Sequence, residues 1–487
     1  MNLGTLVRRA ALQFKDAPCL VEGERSLSFA EFDVATDRLA NALRRKGLET
    51  GDCVAVLLPN SIDCLVAYYA IAKAGLLRLA LNTRENLDSH NYKISDSGSR
   101  AVLHNGTEGL EADILIDENT LAGMIAEGDD TPCLIERTLD DVFRLGYTGG
   151  TTGRPKAVVL QNRGELAELA AFLMDLVPEL KTGDTFLHAA PIAHASGAFF
   201  LPSLVRGVRT VIMPKFDPAR FIELSVREQA GFTFLVPTML AKIMEEPGLM
   251  DEPLDFTRIC YGASPMAPGL LQRAQQRFGR VFAQTYGQAE SPMVITCLRP
   301  EDHDRIGAAG RPFTFVECAV FDDEDNPLPP GEIGEIVCRG PQLMMEYWNR
   351  PEATAEVMRN GWLHTGDIGR MDEDGFYYLL DRKHDLLISG GYNVYPREVE
   401  DVLLAFDGVV EAAVVGIPDE KWGDRVHAVV AGRDDLDAEA LSAYAKETLA
   451  DFKRPRGIDI WPELPKSAAN KILRREVREK LVAQVSL

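Results

Sequence analysis

Residues 147–156 read Tyr147-Thr148-Gly149-Gly150-Thr151-Thr152-Gly153-Arg154-Pro155-Lys156, three glycines and three threonines running into two cations. Small residues let backbone N–H groups close on an anion, hydroxyls add donors and the lysine adds a full charge, so the stretch reads as a phosphate cradle. It is not a Walker A loop, because Pro155 stands between Gly153 and Lys156 and no Gly-Lys-Ser/Thr follows.

Outward from this loop, helical and strand patterns alternate. Ser28-Phe29-Ala30-Glu31 is a capping box opening an amphipathic helix with Phe29, Phe32, Leu39 and Leu43 on one face, stopped by Gly47. An apolar run at 53–58 ends on Pro59, a helical run at 62–73 ends before Gly75, and another apolar run fills 76–81. Beyond the loop, short β-rich runs at 186–190, 210–213, 232–236, 258–261 and 281–285 are spaced by segments of helical length. Such alternation predicts an α/β chain with parallel sheets covered by helices. From Val316 the texture turns to strands and turns, and after Arg382 a compact segment carries strands at 412–417 and 427–430, a helix near 438–449 and a basic tail. The expected division is a large domain over 1–380, a hinge over 381–385 and a small domain over 386–487.

Composition narrows the function. The 487 residues hold 52 Lys+Arg against 74 Asp+Glu, a net charge of −22, which argues against nucleic-acid binding by counterion replacement. The eight cysteines form no C-x-x-C pair, so neither a disulfide framework nor a zinc site is expected. The first residues lack a secretory pattern. The most apolar stretches, at 65–81 and 189–205, are broken by Lys73 and Arg78 or by His194 and two prolines. No membrane span and a cytoplasmic address are therefore expected.

The loop and several later motifs, met in the same order, resemble the acyl-adenylate-forming (AMP-binding) superfamily in its acyl-CoA synthetase branch. The first is similar to that family's phosphate-binding loop, which implies nucleotide contacts from Thr148, Gly149, Gly150, Thr151, Thr152, Gly153 and Lys156. Tyr261-Gly262-Ala263-Ser264-Pro265 resembles its adenine-binding turn. Tyr286-Gly287-Gln288-Ala289-Glu290 resembles the segment whose tyrosine stacks on adenine and whose glutamate holds Mg²⁺. Gly361-Trp362-Leu363-His364-Thr365-Gly366-Asp367 is similar to the stretch whose aspartate binds ribose, and Asp381-Arg382-Lys383-His384-Asp385 to the hinge, with Arg382 at the nucleotide and His384 at the pivot. Pro465-Lys466-Ser467-Ala468-Ala469-Asn470-Lys471 resembles the catalytic-lysine motif. The resemblance implies a large N-terminal domain of parallel sheets with a distorted β subdomain, and a small mobile α+β C-terminal domain.

It also implies the substrates ATP, coenzyme A and a carboxylic acid. In the first half-reaction the acid's carboxylate attacks the α-phosphorus of ATP, giving acyl-AMP and pyrophosphate. Two anions must meet, so catalysis is positioning and charge neutralisation by Mg²⁺ on Glu290, the loop and Lys471. In the second, a thiol attacks the acyl carbon after the small domain has rotated and brought the face carrying Gly390 and Gly391 inward.

Asp451-Phe452-Lys453-Arg454-Pro455-Arg456 and the lysine motif resemble the 4-chlorobenzoate:CoA ligases. That similarity implies Phe452 against the CoA adenine, Arg84, Arg454 and Arg456 on its phosphates, and Trp422 beside the pantetheine arm. Pro191-Ile192-Ala193-His194-Ala195-Ser196-Gly197 resembles the segment whose histidine stands at the mouth of the acyl site. Around it, His194, Phe199, Phe200, Val236, Met239, Gly262, Ala263 and Met293 are expected to line a pocket for a fatty or aromatic acid.

The pattern breaks in places. Ala289 stands where the family usually has threonine, Asp381 where glycine is common, and His384 where Asp or Lys is usual. Gly149 for serine and Ala157 for glycine are mild changes. Two other readings follow: a ligase that hands its acyl group to a carrier protein, and a catalytically weak acyl-adenylate binder, prompted by Ala289. Homodimers occur among such relatives, which makes a homodimer one candidate by analogy, while the sequence itself does not set the oligomeric state.

Overall fold

The computed structural model describes residues 2–148, 154–264, 266–419, 421–433, 435–466 and 472–485. Its first sheet has seven strands in the order Glu346–Tyr347, Ala157–Gln161, Val142–Tyr147, Leu77–Ala80, Cys53–Leu57, Ser99–His104 and Ile114–Asp117. The five from Val142–Tyr147 onward pair in parallel. Cys53–Leu57 is buried at all five positions, as a continuous apolar run must be when helices cover both faces. Helix Phe29–Arg45 starts on Ser28, whose hydroxyl accepts from Glu31 N at 3.2 Å while Glu31 accepts from Ser28 N at 2.8 Å.

Helix Ile62–Lys73 is apolar all round and lies in a core shared with Ile192, Phe200, Leu204 and Ile212 from the second sheet's layer. Its last residue, Lys73, is fully buried between Asp33 at 2.6 Å and Asp37 at 2.7 Å, so the ammonium is paired twice where water cannot reach.

The second sheet is long and continuous. Pro18–Glu22, Arg209–Ile212, Thr185–His188, Phe232–Leu235, Arg258–Tyr261 and Phe282–Gln288 form its parallel part. Ser291–Leu298 and Ala308–Pro312 then extend it antiparallel into Tyr377–Arg382, Trp362–Met371, Ile333–Arg339 and Glu317–Phe321. The strand-rich part beyond Val316 is therefore a continuation of the parallel sheet, joined through Ala308–Pro312. That join carries the end of Phe282–Gln288 to the ends of Trp362–Met371 and Tyr377–Arg382.

The small domain is a five-stranded sheet of Leu387–Ser389, Tyr392–Val394, Val409–Asp419, Gly423–Gly432 and Gly457–Ile460. Helices Pro396–Leu404 and Ala438–Thr448 pack on one face and Arg474–Val485 on the other. Strand Tyr377–Arg382 runs past the expected boundary at 380, with Asp381 opposite Ile368 and Arg382 opposite Asp367. All eight cysteines are free, seven buried and Cys318 half-buried. No helix among the described residues is long and apolar enough to cross a membrane.

Candidate active site

A cleft of about 2690 Å³ opens between the sheets, the β extension and the small domain. At the end where the nucleotide residues are expected, Tyr286 donates to Asp367 Oδ2 at 2.5 Å, and Arg382 Nε lies 2.7 Å from Asp367 Oδ1. Burial first, and the carboxylate beside it second, push the Tyr286 phenol well above its ordinary value, so it stays a donor. Asp367 sits after Gly366, whose φ of 70° turns its N–H onto Glu335 at 2.9 Å. Gly262 has no room for a side chain, since a Cβ would lie 2.6 Å from Thr285 O, and Ala263 follows in the left-handed region at φ 67°. At Gly287 a Cβ would come within 2.5 Å of the Met293 backbone. Tyr286, Gly287, Gly262, Ala263, Ser264, Asp367 and Arg382 thus line one end of the cleft.

At the expected phosphate loop, Thr148 N donates to Lys156 O at 2.9 Å and Lys156 N to Thr148 Oγ1 at 3.3 Å, closing the neck of the hairpin between strands Val142–Tyr147 and Ala157–Gln161. The loop between, Gly149, Gly150, Thr151, Thr152 and Gly153, lies outside the described residues. Tyr92 donates to Pro155 O at 3.0 Å and braces the far side. Lys156 Nζ stands 5.0 Å over the Tyr347 ring, and the Tyr347 hydroxyl donates to Glu290 Oε1 at 2.5 Å. Among the described residues the second Glu290 oxygen has no hydrogen-bond partner. One carboxylate beside a phosphate site is the donor set that Mg²⁺ takes when substrate phosphates and water complete its shell, so the residues present fit that ion.

Of the residues expected at the acyl pocket, His194, Val236, Met239 and Met293 line the cleft, and burial lowers the His194 imidazole, which favours its neutral form. Phe199 and Phe200 do not line the cleft. Phe199 packs between Phe172, Phe186 and Phe234, and Phe200 against Phe32 and Tyr69, both fully buried. They are consecutive residues where a short 3-10 segment passes into helix Phe200–Arg206, so they point into two different cores. Their neighbours Ala198 and Leu201 face the cleft instead. Ala289 is half-buried on the same wall.

The expected CoA residues gather on the small domain, away from the cleft. Gly390 N donates to Trp422 O at 2.8 Å, a Cβ on Gly390 would meet the indole at 3.1 Å, and the Arg456 guanidinium lies 4.5 Å over that ring. Gly390 and Gly391 have φ of 58° and 82°. Phe452 is stacked by Tyr392 with centroids 4.7 Å apart. Arg454 and Arg456 share Asp451 at 3.3 and 3.2 Å. Arg84 stands apart from this group, on the cleft wall of the large domain. The small domain instead turns Lys466, Ile472 and Arg474 to the cleft. Lys471 lies outside the described residues. His384 is at the cleft rim, 3.8 Å from Asp385.

Sequence reasoning missed Tyr347, Glu335, Tyr392 and Asp451. Tyr392 was within reach, as a bulky ring directly after two glycines. Tyr347 and Glu335 are partners recruited from distant segments, whereas Asp451 lies three and five residues before the arginines it pairs.

With this geometry in place, comparison with known proteins is direct. The family described as AMP-binding enzyme matches residues 7–348, and that described as AMP-binding enzyme C-terminal domain matches residues 398–471. The chain belongs to the AMP-binding enzymes and is an acyl-CoA synthetase by class. It is 36% identical to a feruloyl-CoA synthase of an Amycolatopsis species over 98% of this chain and 99% of that one. It is 34% identical to a medium/long-chain-fatty-acid–CoA ligase of Mycobacterium tuberculosis over 98% of this chain and 89% of the other. The crystal structure of ATP-bound MatB from Rhodopseudomonas palustris superposes with a TM-score of 0.91 at 29% identity, covering 99% of both chains.

Proposed function

We propose that the protein is an ATP-dependent, AMP-forming acid:CoA ligase acting on an apolar carboxylic acid, aromatic or fatty. The observation that carries this reading is the single cleft in which Tyr286, Asp367 and Arg382 face the Glu290–Tyr347–Lys156 group and the His194 wall. Tyr286 and the Gly262–Ala263 turn hold adenine, Asp367 accepts from the ribose hydroxyls, and Thr148 and Lys156 receive phosphates. Mg²⁺, when bound by Glu290, neutralises phosphate charge.

The acid's carboxylate oxygen bonds to the α-phosphorus as the bond to pyrophosphate breaks, with no proton to move. Lys471 is assigned to the charge that develops between acyl and phosphate. The CoA thiol, as thiolate, then bonds to the acyl carbon and AMP leaves. Arg84, Arg454, Arg456, Phe452, Trp422, Gly390 and Gly391 are assigned to CoA once the small domain has turned about 381–385. Trp422, Gly390 and Arg456 already form one cluster, which supports free CoA over a carrier protein. The working unit is a cytoplasmic enzyme, as a homodimer by analogy with relatives.

The test is AMP release that depends on ATP, Mg²⁺ and CoA, across acetate, C4 to C18 fatty acids, benzoates and cinnamates. An optimum for one acid class supports the ligase. Acyl-AMP that CoA leaves untouched favours carrier delivery, and silence throughout favours a binding protein.

A further inference from the structure

The cleft has a second polar end that none of these assignments uses. Arg78 of strand Leu77–Ala80 lies in register with Arg144 of strand Val142–Tyr147, and both line the cleft with Tyr68, Glu165 and Glu168. Arg144 is answered by Glu165 through Nε and by Glu168 at 3.7 Å. Among the described residues no carboxylate pairs with Arg78. Its guanidinium lies 4.1 Å over the Tyr68 ring and 5.0 Å from the Phe143 ring, and its Nε is buried without a hydrogen-bond partner. Glu168 Oε1 is likewise buried and unpartnered, and Tyr68 Oη is buried with only the Cys64 thiol beside it, on residues 5% and 4% exposed. Unmet buried polar atoms are costly, and three of them bordering one end of a substrate cleft call for an oxygen that completes them.

Position says which part of a substrate that is. Arg144 and Thr148 are four residues apart along one extended segment, roughly 13 Å at ~3.3 Å per residue. The reacting carboxylate must sit near the phosphate loop, so the Arg78–Tyr68–Glu168 corner meets the opposite end of the acid. An alkyl tail there would leave all three atoms without an oxygen partner.

We infer that this corner is the specificity site for the distal end of the acid, and that it selects acids bearing an oxygen group there, a phenolic hydroxyl or a second carboxylate, over plain alkyl or aryl acids. The inference rests on the ligase reading and narrows its substrate class. Burial first, and Glu165 next, push the Glu168 carboxyl up to about 8, so at neutral pH it mostly carries a proton that it can donate. Two guanidiniums then face one carboxylate, a local excess of positive charge that suits an oxygen acceptor.

The test compares kcat/KM for AMP release with cinnamate, 4-hydroxycinnamate and 4-carboxycinnamate in the wild type, Tyr68→Phe and Arg78→Met. The expected result is a preference of tenfold or more for one oxygenated acid over cinnamate, falling at least threefold in each variant. Which oxygenated acid is preferred identifies the group. No preference in the wild type, or a ratio both variants leave unchanged, overturns the inference. Turnover of no acid, fatty acids included, overturns instead the ligase reading beneath it. Where melting curves show that Arg78→Met does not fold, Tyr68→Phe, which removes one oxygen, decides alone.

Discussion

Arg474 Nη1 donates to Asp381 Oδ1 at 2.7 Å, tying the head of the C-terminal helix to the last strand of the large domain. The same guanidinium reaches Asp385 at 3.0 Å and Glu400 at 2.6 Å, and Asp381 also accepts from Arg397 N at 2.7 Å. This clamp holds the orientation in which Lys466 and Ile472 face the cleft. Asp381→Asn is expected to slow acyl-AMP formation about tenfold, the equivalent of ~1.4 kcal/mol of lost pairing, while sparing thioester formation from supplied acyl-AMP. Half-reaction kinetics decide it. Equal losses in both steps would make the clamp a matter of stability alone.

Lys471→Ala is expected to nearly abolish acyl-AMP formation and leave conversion of supplied acyl-AMP to acyl-CoA close to wild type. Stopped assays of each half-reaction measure this, and a matched loss would refute the division of labour.

Asp367 answers both Arg382 and Tyr286. Asp367→Asn gives up hydrogen bonds to a charged group, each about 1.5–3 kcal/mol, so KM for ATP should rise about ten- to a hundredfold with little change for the acid. A rise shared equally with the acid would mean that the cleft itself had reorganised.

Ala289→Thr supplies a hydroxyl on the cleft wall next to Glu290. One added hydrogen bond of about 0.5–1.5 kcal/mol should raise the rate of acyl-AMP formation about two- to tenfold. A flat response would show that no phosphate or metal-bound water lies within its reach.

His188 is fully buried, with Nδ1 2.8 Å from Ser196 Oγ, and burial lowers its imidazole to about 3. The unfolded chain takes up this proton near pH 6.5 and the folded chain does not. Between those values stability therefore falls as pH falls, by up to about 1.4 kcal/mol per unit from this residue. Denaturant titrations from pH 5 to 7 should show that slope, reduced in His188→Asn. An unchanged slope would assign it to other groups.

Much of the scaffold follows from local signals. The capping box at Ser28, the buried strand Cys53–Leu57 and helix Ile62–Lys73 fall where apolar period and stop residues put them, because each signal is contained in one short segment. The join through Ala308–Pro312 is not local. It depends on pairing Thr296 with Pro312 on the next strand and Ala308 with Tyr378 on a strand far along the sequence. The residues expected at the nucleotide come together at one end of the cleft, and they could be singled out because chemistry restricts their types. The acyl wall was not, since any apolar side chain satisfies it, and only helix rotation distinguishes Phe199 from Ala198. The Arg78–Tyr68–Glu168 corner stayed hidden because charged residues in sequence look solvated until the fold buries them.

The cysteines have a consequence of their own. A carboxylic–phosphoric anhydride acylates thiolates indiscriminately, and its maker is the first protein it meets. Here burial holds every one of the eight thiols above its ordinary value, so none is readily ionised and seven are sealed from the cleft's contents. The enzyme is thereby shielded from its own intermediate, and the sulfur of the incoming substrate meets no competitor.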